Sequence, residues 1–253
     1  MEELFSIKGQ VVHVSGGSRG IGRAIADACH QAGAQVVVSS RNEASLQATG
    51  LAYEVCDIAD GAQIDRCVGA IVARFGRLDV LFNVAAINYR HGAETFPTDK
   101  LDDILAVNVR GNFLMARACG RVMVKQRQGK IVNIGSFQGL QSLPGVAVYG
   151  ASKGAIAAMT RALAVEWAPF NVQVNAIAPG FIQTDFNRPL WENPEIDAFA
   201  VARTPAGRWG APADIVGAAL FLASRASDFI TGQVLCVDGG LTAGSSWPLV
   251  VPR

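Results

Sequence analysis

Residues 10–31 read Gln-Val-Val-His-Val-Ser-Gly-Gly-Ser-Arg-Gly-Ile-Gly-Arg-Ala-Ile-Ala-Asp-Ala-Cys-His-Gln. The first part (10–15) is apolar and β-branched, as a buried strand is, and residues 23–31 follow a helical pattern. Between them lies Ser15-Gly16-Gly17-Ser18-Arg19-Gly20-Ile21-Gly22. A bound phosphate needs backbone N–H groups with no Cβ in the way, at a helix N-terminus where the dipole is positive. A glycine cluster on a strand-to-helix turn meets both needs, so Ser15, Gly16, Ser18, Arg19, Gly20, Ile21 and Gly22 are expected to line a dinucleotide site. The glycines at 16, 20 and 22 give Gly-x-x-x-Gly-x-Gly rather than Gly-x-Gly-x-x-Gly.

Further apolar runs recur at 35–39, 80–83, 130–135, 172–177 and 233–237, with a weaker one at 52–55. Helical patterns lie at 63–75, 101–125, 154–167 and 213–224. Continuous apolar strands alternating with helices mean βαβ units and a parallel sheet covered on both faces. The predicted fold is therefore α/β: one Rossmann-type doubly wound domain over 1–253, with a seven-stranded parallel sheet. Two stretches break the alternation. Residues 183–210 are rich in Pro, Trp, Asn and Arg and are expected to form a substrate lid or loop. The tail 243–253 does not read as a helix and is expected to pack on another subunit.

Half of the 253 residues are apolar, 17% are charged, and mean hydropathy is +0.27, which excludes intrinsic disorder. Twenty-two basic against twenty-one acidic residues leave a net charge of +1. That balance argues against nucleic acid or an anionic membrane surface as partner. No signal segment and no apolar run of membrane-spanning length is visible, so a cytoplasmic protein is expected. Cys29, Cys56, Cys67, Cys119 and Cys236 are scattered and form no ligand pattern with the three histidines. They read as reduced thiols, and no metal site is expected.

Which dinucleotide binds is decided at the end of the second strand, where an NAD site carries an acid that accepts from the ribose hydroxyls. Residues 35–42 (QVVVSSRN) contain no acid. Ser40 stands at the acidic position, Arg41 follows it, and Arg19 adds a second cation. A 2′-phosphate is attracted by guanidinium groups and repelled by carboxylates. NADP(H) is the expected cofactor, with NAD(H) as the alternative that a serine also tolerates.

Tyr149-Gly150-Ala151-Ser152-Lys153 places a phenol and an ammonium at i and i+4, on one helix face. Ser136 ends the strand at 130–135, on the carboxyl edge where such sheets bind ligands. Asn108 sits within an apolar helical pattern, where its amide must find a partner.

In this order, behind a cofactor turn, these residues resemble the short-chain dehydrogenase/reductases, over about residues 5–242. Ser15–Gly22 matches the family's Thr-Gly-x-x-x-Gly-x-Gly with Ser for Thr. Asp57-Ile58 matches the Asp-Val that contacts adenine. Asn83-Val84-Ala85-Ala86 stands for Asn-Asn-Ala-Gly, so that Asn83 and Ala85 join the cofactor wall. Pro179-Gly180-Phe181-Ile182-Gln183-Thr184 matches the Pro-Gly motif that holds the nicotinamide amide, through Pro179, Gly180, Ile182 and Thr184. The resemblance implies the tetrad Asn108, Ser136, Tyr149 and Lys153. Tyr149 is then the general acid or base, with its pKa lowered by Lys153 and the oxidised cofactor. Ser136 binds the reacting oxygen, Lys153 also holds the ribose, and Asn108 holds a water through its backbone.

Residues 204–210 and 223–229 look like gluconate 5-dehydrogenase and related keto-sugar-acid reductases. The expected substrate is a small ketone or secondary alcohol of the sugar-acid or polyol kind, held by Gln138, Asn88, Arg90, Asn187 and Arg188. The nearest rival is a 3-oxoacyl-carrier-protein reductase, which needs a basic landing surface. Lys125 and Arg127 suit that role, but 168–171 lacks the basic residue expected there. A catalytically inactive dinucleotide sensor is the rival from another class; such proteins typically lose the Tyr or Lys kept here. The small residues Gly150, Ala151, Gly154, Ala155, Ala157 and Ala158 permit close approach of backbones, and with Leu105, Val109, Phe113 and Met115 the resemblance implies helix pairing across a two-fold axis and a homotetramer.

Overall fold

The structure, a computed structural model, describes residues 2–244. All but the start of the tail read as a subunit contact, 245–253, lies outside the described residues. The strands are β1 (Val11–Ser15), β2 (Gln35–Ser40), β3 (Ala52–Val55), β4 (Val80–Asn83), β5 (Gly129–Ile134), β6 (Val172–Pro179) and β7 (Val234–Val237). They form one sheet in the order 3-2-1-4-5-6-7, every pairing parallel. The chain runs outward from β1 to β3 and then crosses back to β4. The strand order therefore reverses between β1 and β4, and the crevice there lies at their carboxyl ends. Ser15 is in register with Asn83, which brings the glycine turn against the 84–87 loop.

The helices are α1 (Glu2–Phe5), α2 (Gly20–Gln31), α3 (Glu43–Gln47), α4 (Gly61–Phe75), α5 (Thr98–Leu105), α6 (Asn112–Gln126), α7 (Ala147–Trp167), α8 (Arg188–Trp191), α9 (Pro194–Arg203) and α10 (Pro212–Ala223). Strand alternation sorts the two faces of the core. Val12, Val14, Val36, Val38, Val80 and Phe82 point toward Ile25 of α2, Leu46 of α3, and Ile215 and Leu222 of α10. Val11, Val37, Leu81 and Ile131 point the other way, toward Ile64 and Ile71 of α4, Met115 and Met123 of α6, and Leu163 of α7. Both faces are covered, which is why the strands are apolar throughout.

Three elements differ from the sequence expectation. The helix expected over 101–125 runs from Thr98 to Gln126 and carries a π-helical stretch, Ala106–Gly111, in its middle. The extra residue per turn there rotates Asn108 inward, a device that periodicity reading does not see. Helix α7 starts at Ala147, earlier than the expected 154, so Tyr149 lies in its first turn and Lys153 one turn on. The stretch 183–210 is not irregular: it holds α8 and α9. Pro189 and Pro194 sit in the first turns of these helices, where the missing N–H costs nothing, and the Asn193 side chain caps α9. Among the described residues, no helix is long and apolar enough to cross a membrane.

Candidate active site

The crevice at the carboxyl ends of β1, β2 and β4 is a continuous cleft, with the glycine turn on one wall and 84–87 on the other. Gly16 adopts φ +79, and a Cβ there would lie 2.8 Å from the Ala85 amide nitrogen. A Cβ on Gly22 would lie 2.2 Å from the Gly16 carbonyl. Only glycine permits the turn to close this tightly and α2 to start this near the cleft floor. The Ser15 carbonyl accepts from the Val84 and Ala85 amides at 3.0 and 3.1 Å, which joins the two walls. Arg19 precedes α2 with an extended backbone and no side chain caps the helix, so its first N–H groups remain open to an anion. Ser18, Arg19, Gly20, Ile21, Ser40 and Arg41 all line the cleft. Neither the Arg19 nor the Arg41 guanidinium makes a hydrogen bond or ion pair among the described residues. The uncapped helix, the glycine cradle and the two unpaired cations fit a phosphorylated dinucleotide.

Tyr149 and Lys153 line the inner end of the same cleft. The Lys153 ammonium donates to the Ile134 carbonyl at 2.7 Å and lies 5.6 Å from the Tyr149 ring centroid. Ser136 follows β5 and its hydroxyl accepts from the Gln138 amide at 3.1 Å. Burial lowers the Lys153 pKa to about 8. Burial also raises the Tyr149 pKa to about 12, against the pull of the Ser136 hydroxyl and the Arg90 charge. Loss of water around the phenolate outweighs the nearby Arg90 charge.

Asn108 is fully buried and its amide is saturated. Its Oδ1 accepts from the Ile87 N–H at 2.8 Å, and its Nδ2 donates to the Ile87 carbonyl at 2.8 Å and to Ser152 Oγ at 3.1 Å. The Ser152 hydroxyl donates in turn to the Tyr149 carbonyl at 2.7 Å. One chain of bonds ties the 84–87 wall, the π-helical stretch and the first turn of α7.

Two amide oxygens, Gln138 Oε1 and Asn88 Oδ1, are buried with no hydrogen-bond partner among the described residues. Arg90 approaches Tyr149; desolvation lowers its pKa while Tyr149 draws it up.

A family model described as enoyl-(acyl carrier protein) reductase matches residues 15–242. The chain belongs to the short-chain dehydrogenase/reductase family. It is 40% identical over 249 residues to the gluconate 5-dehydrogenase of Gluconobacter oxydans, covering 95% of this chain and 97% of that protein. It is 38% identical over 253 residues to the 5-keto-D-gluconate 5-reductase of Escherichia coli, covering 95% and 98%. Among solved structures, a gluconate 5-dehydrogenase from Burkholderia cenocepacia in complex with NADP and tartrate superposes with a TM-score of 0.92. It shares 38% identity and covers 96% of this chain and 98% of that one.

Within this family member, several residues named from sequence stand elsewhere than expected. Asp57 does not line the cleft; its carboxylate accepts from the Ala59 N–H at 2.9 Å, while Cys56 and Ile58 face the cleft instead. Asn83 lies beneath the wall and donates to the Asn112 carbonyl at 2.9 Å. Pro179 ends β6, the Gly180 amide donates to the Val237 carbonyl at 3.1 Å, and Ile182 packs into the core, so these three hold Thr184 at the cleft rather than lining it. Asn187 and Arg188, expected to meet substrate, make their bonds within the 182–192 segment. The Asn187 amide accepts from the Thr184 N–H and hydroxyl, both at 3.0 Å, and donates to the Ile182 carbonyl at 2.9 Å. Arg188 is exposed and pairs with Asp185 and Glu192. Both are consumed by local structure. Ile87 and Ser152 were missed, although a buried serine between the Tyr and Lys of one helix was a readable signal.

Proposed function

We propose that the protein is an NADP(H)-dependent oxidoreductase that interconverts a ketone and a secondary alcohol on a sugar acid. The observation that carries the substrate class is the Arg90 guanidinium beside Tyr149. The carboxylate of a sugar acid answers Arg90 with a charge-assisted bond. The Burkholderia relative holds NADP and tartrate, a hydroxylated diacid, in the same fold.

The first N–H groups of α2 with Arg19, Ser40 and Arg41 would hold the phosphates, and Lys153 with Thr184 the nicotinamide end. When bound, the reduced nicotinamide supplies the hydride. Ser136 positions the carbonyl oxygen, and Tyr149, protonated at neutral pH, donates its proton to that oxygen. In the reverse direction the phenolate must form, and Lys153 stabilises it. Asn108 positions Ile87 and, through Ser152, the turn that carries Tyr149.

Oligomerisation and compartment follow from separate features. Val109, Phe113, Met159 and Trp167 line an apolar groove between α6 and α7, with Phe113 and Val165 exposed, and a second copy with the same face would cover it. A second two-fold pairing through a different face would complete a homotetramer. All five cysteines are free thiols, which suits the cytoplasm.

The test is steady-state reduction of 5-ketogluconate with NADPH, beside a carrier-linked 3-oxoacyl substrate and an uncharged small ketone. Arg90→Ala should raise KM for the keto acid by roughly 10- to 150-fold, the value of one charge-assisted bond, and leave the uncharged ketone nearly unchanged. Equal losses on both, or a preference for the carrier-linked substrate, would overturn the sugar-acid reading.

A further inference from the structure

Thr184 lines the cleft, and the partners of its polar atoms can be followed one by one. It comes after β6, which lies beyond β5 on the opposite side of β1 from β2, so it belongs to the Ser136 half of the sheet rather than the Ser40-Arg41 half. Its methyl faces the glycine turn: a Cβ on Gly20 would meet Thr184 Cγ2 at 3.5 Å. Its carbonyl accepts from the Asn187 N–H at 3.2 Å and from the Trp191 indole N–H at 3.0 Å. Its N–H donates to Asn187 Oδ1 at 3.0 Å, and its hydroxyl lies 3.0 Å from the same oxygen. Two backbone groups fix the orientation of the Asn187 amide. The Ile182 carbonyl, 2.9 Å away, can only accept, so the group facing it is the NH2. The Thr184 N–H can only donate, so the group facing it is Oδ1. That oxygen carries no proton, and the Thr184 hydroxyl therefore directs its single proton to it. One lone pair of the hydroxyl faces the Asn187 N–H across the turn, and the other is left for a ligand.

We propose that Asn187 is a positioning residue that makes the Thr184 hydroxyl an acceptor only, and that this acceptor selects the NH2 of the nicotinamide carboxamide. The proposal rests on the NADP(H) reading above. Gly20, against which Thr184 packs, belongs to the glycine turn, so a phosphate oxygen is the rival neighbour. Phosphate oxygens accept, and with its proton held by Asn187 the hydroxyl has no donor to offer them. On the Tyr149 side of the phosphates a dinucleotide carries two kinds of donor, the ribose hydroxyls and the carboxamide NH2, and Lys153 is read as holding the ribose. The carboxamide presents a carbonyl as well as an NH2, and a hydroxyl free to rotate takes either. A hydroxyl fixed as acceptor takes only the NH2, which sets which way round the carboxamide lies. Asn187 thus acts on the cofactor through Thr184, without touching substrate.

The test is calorimetric titration of the full-length protein with NADP+ and with its 3-acetylpyridine analogue, in which a methyl group replaces the carboxamide NH2. The ratio of the two Kd values within one protein cancels changes common to both ligands. The parent should bind NADP+ more tightly by roughly 2- to 13-fold, the value of one neutral hydrogen bond. Asn187→Ala frees the hydroxyl proton to meet the acetyl carbonyl, so the ratio should fall to about 1. Asn187→Asp loses the bond to Ile182, as alanine does, but keeps an oxygen for the Thr184 proton, and the ratio should stay at the parent's. A merely structural role moves both Asn187 variants together. Thr184→Val keeps the bulk against Gly20 without a hydroxyl and should lose the preference. A parent ratio below about 2, an Asn187→Ala ratio equal to the parent's, or a ratio that falls equally in Asn187→Asp overturns the proposal. Should the Asn187 variants fail to fold, Thr184→Val decides, and an unchanged ratio there overturns it. A parent that binds neither nucleotide overturns the cofactor reading and this proposal with it, whereas binding of both without discrimination overturns this proposal alone.

Discussion

Replacing Asn108 by alanine tests whether the π-helical stretch exists to hold the cleft wall. The amide makes three hydrogen bonds in a fully buried position, two of them to the backbone of Ile87. Truncation leaves the Ile87 N–H and carbonyl without partners, and removes one donor from Ser152. An unsatisfied buried group costs about 1–3 kcal/mol. Ile87 is half-buried, so water can reach part of the vacated space, and a total near 3 kcal/mol is expected. For a chain of this size that lowers Tm by roughly 6–12 °C. The functional effect is separate. Ile87 lines the cleft, Asn88 and Arg90 follow it, and Ser152 holds the Tyr149 carbonyl, so a loosened wall misplaces substrate against Tyr149. A shift on the order of 1 Å costs about 10²-fold in kcat/KM. Differential scanning calorimetry gives the first quantity and NADPH-dependent ketone reduction below the new Tm gives the second. An Asn108→Ala protein that melts within about 2 °C of the parent and keeps more than half its kcat/KM would refute the positioning role.

Tyr149→Phe should retain NADPH binding and lower kcat by roughly 10²–10⁴-fold, and a residual rate above about a tenth of the parent's contradicts the acid–base assignment. Arg41→Ala should weaken NADPH binding by roughly 10- to 150-fold and spare NADH, as measured by fluorescence titration; equal effects on both mean that Arg41 does not meet the 2′-phosphate. His13, sealed in the core, has its pKa lowered to about 4 by burial, so the unfolded chain binds the proton first as pH falls. Stability should therefore decline as pH drops from about 6.5 to about 4, by about 3 kcal/mol from the shift in this one group. Urea titrations of the parent and of His13→Gln across that range check the sign, since the variant should lose that part of the acid limb.

The order of strands and helices, the glycine turn and the Ser136–Tyr149–Lys153 spacing were all legible along the chain. Each rests on local chemistry: β-branched runs that extend, glycines that alone admit φ +79 at Gly16, and an i, i+4 pair that any helix brings together. Arg41 was legible for the same reason, because it stands at a fixed offset from the turn. The reach of each polar side chain was not. Asn187 and Arg188 have the composition of a sugar-binding wall, yet the geometry of one tight turn uses the first as a cap and the second in ion pairs. Asn108 read as an oddity in an apolar helix, and only the packing of α7 against the 84–87 loop supplied its three partners. The upward push of burial on the Tyr149 pKa was not legible either, because desolvation is a property of everything packed around a group. Sequence by itself determined which backbone forms and which chemistry it carries at the sheet's edge; tertiary structure decided which polar groups remain free to meet a ligand, since that depends on neighbours far apart in the chain.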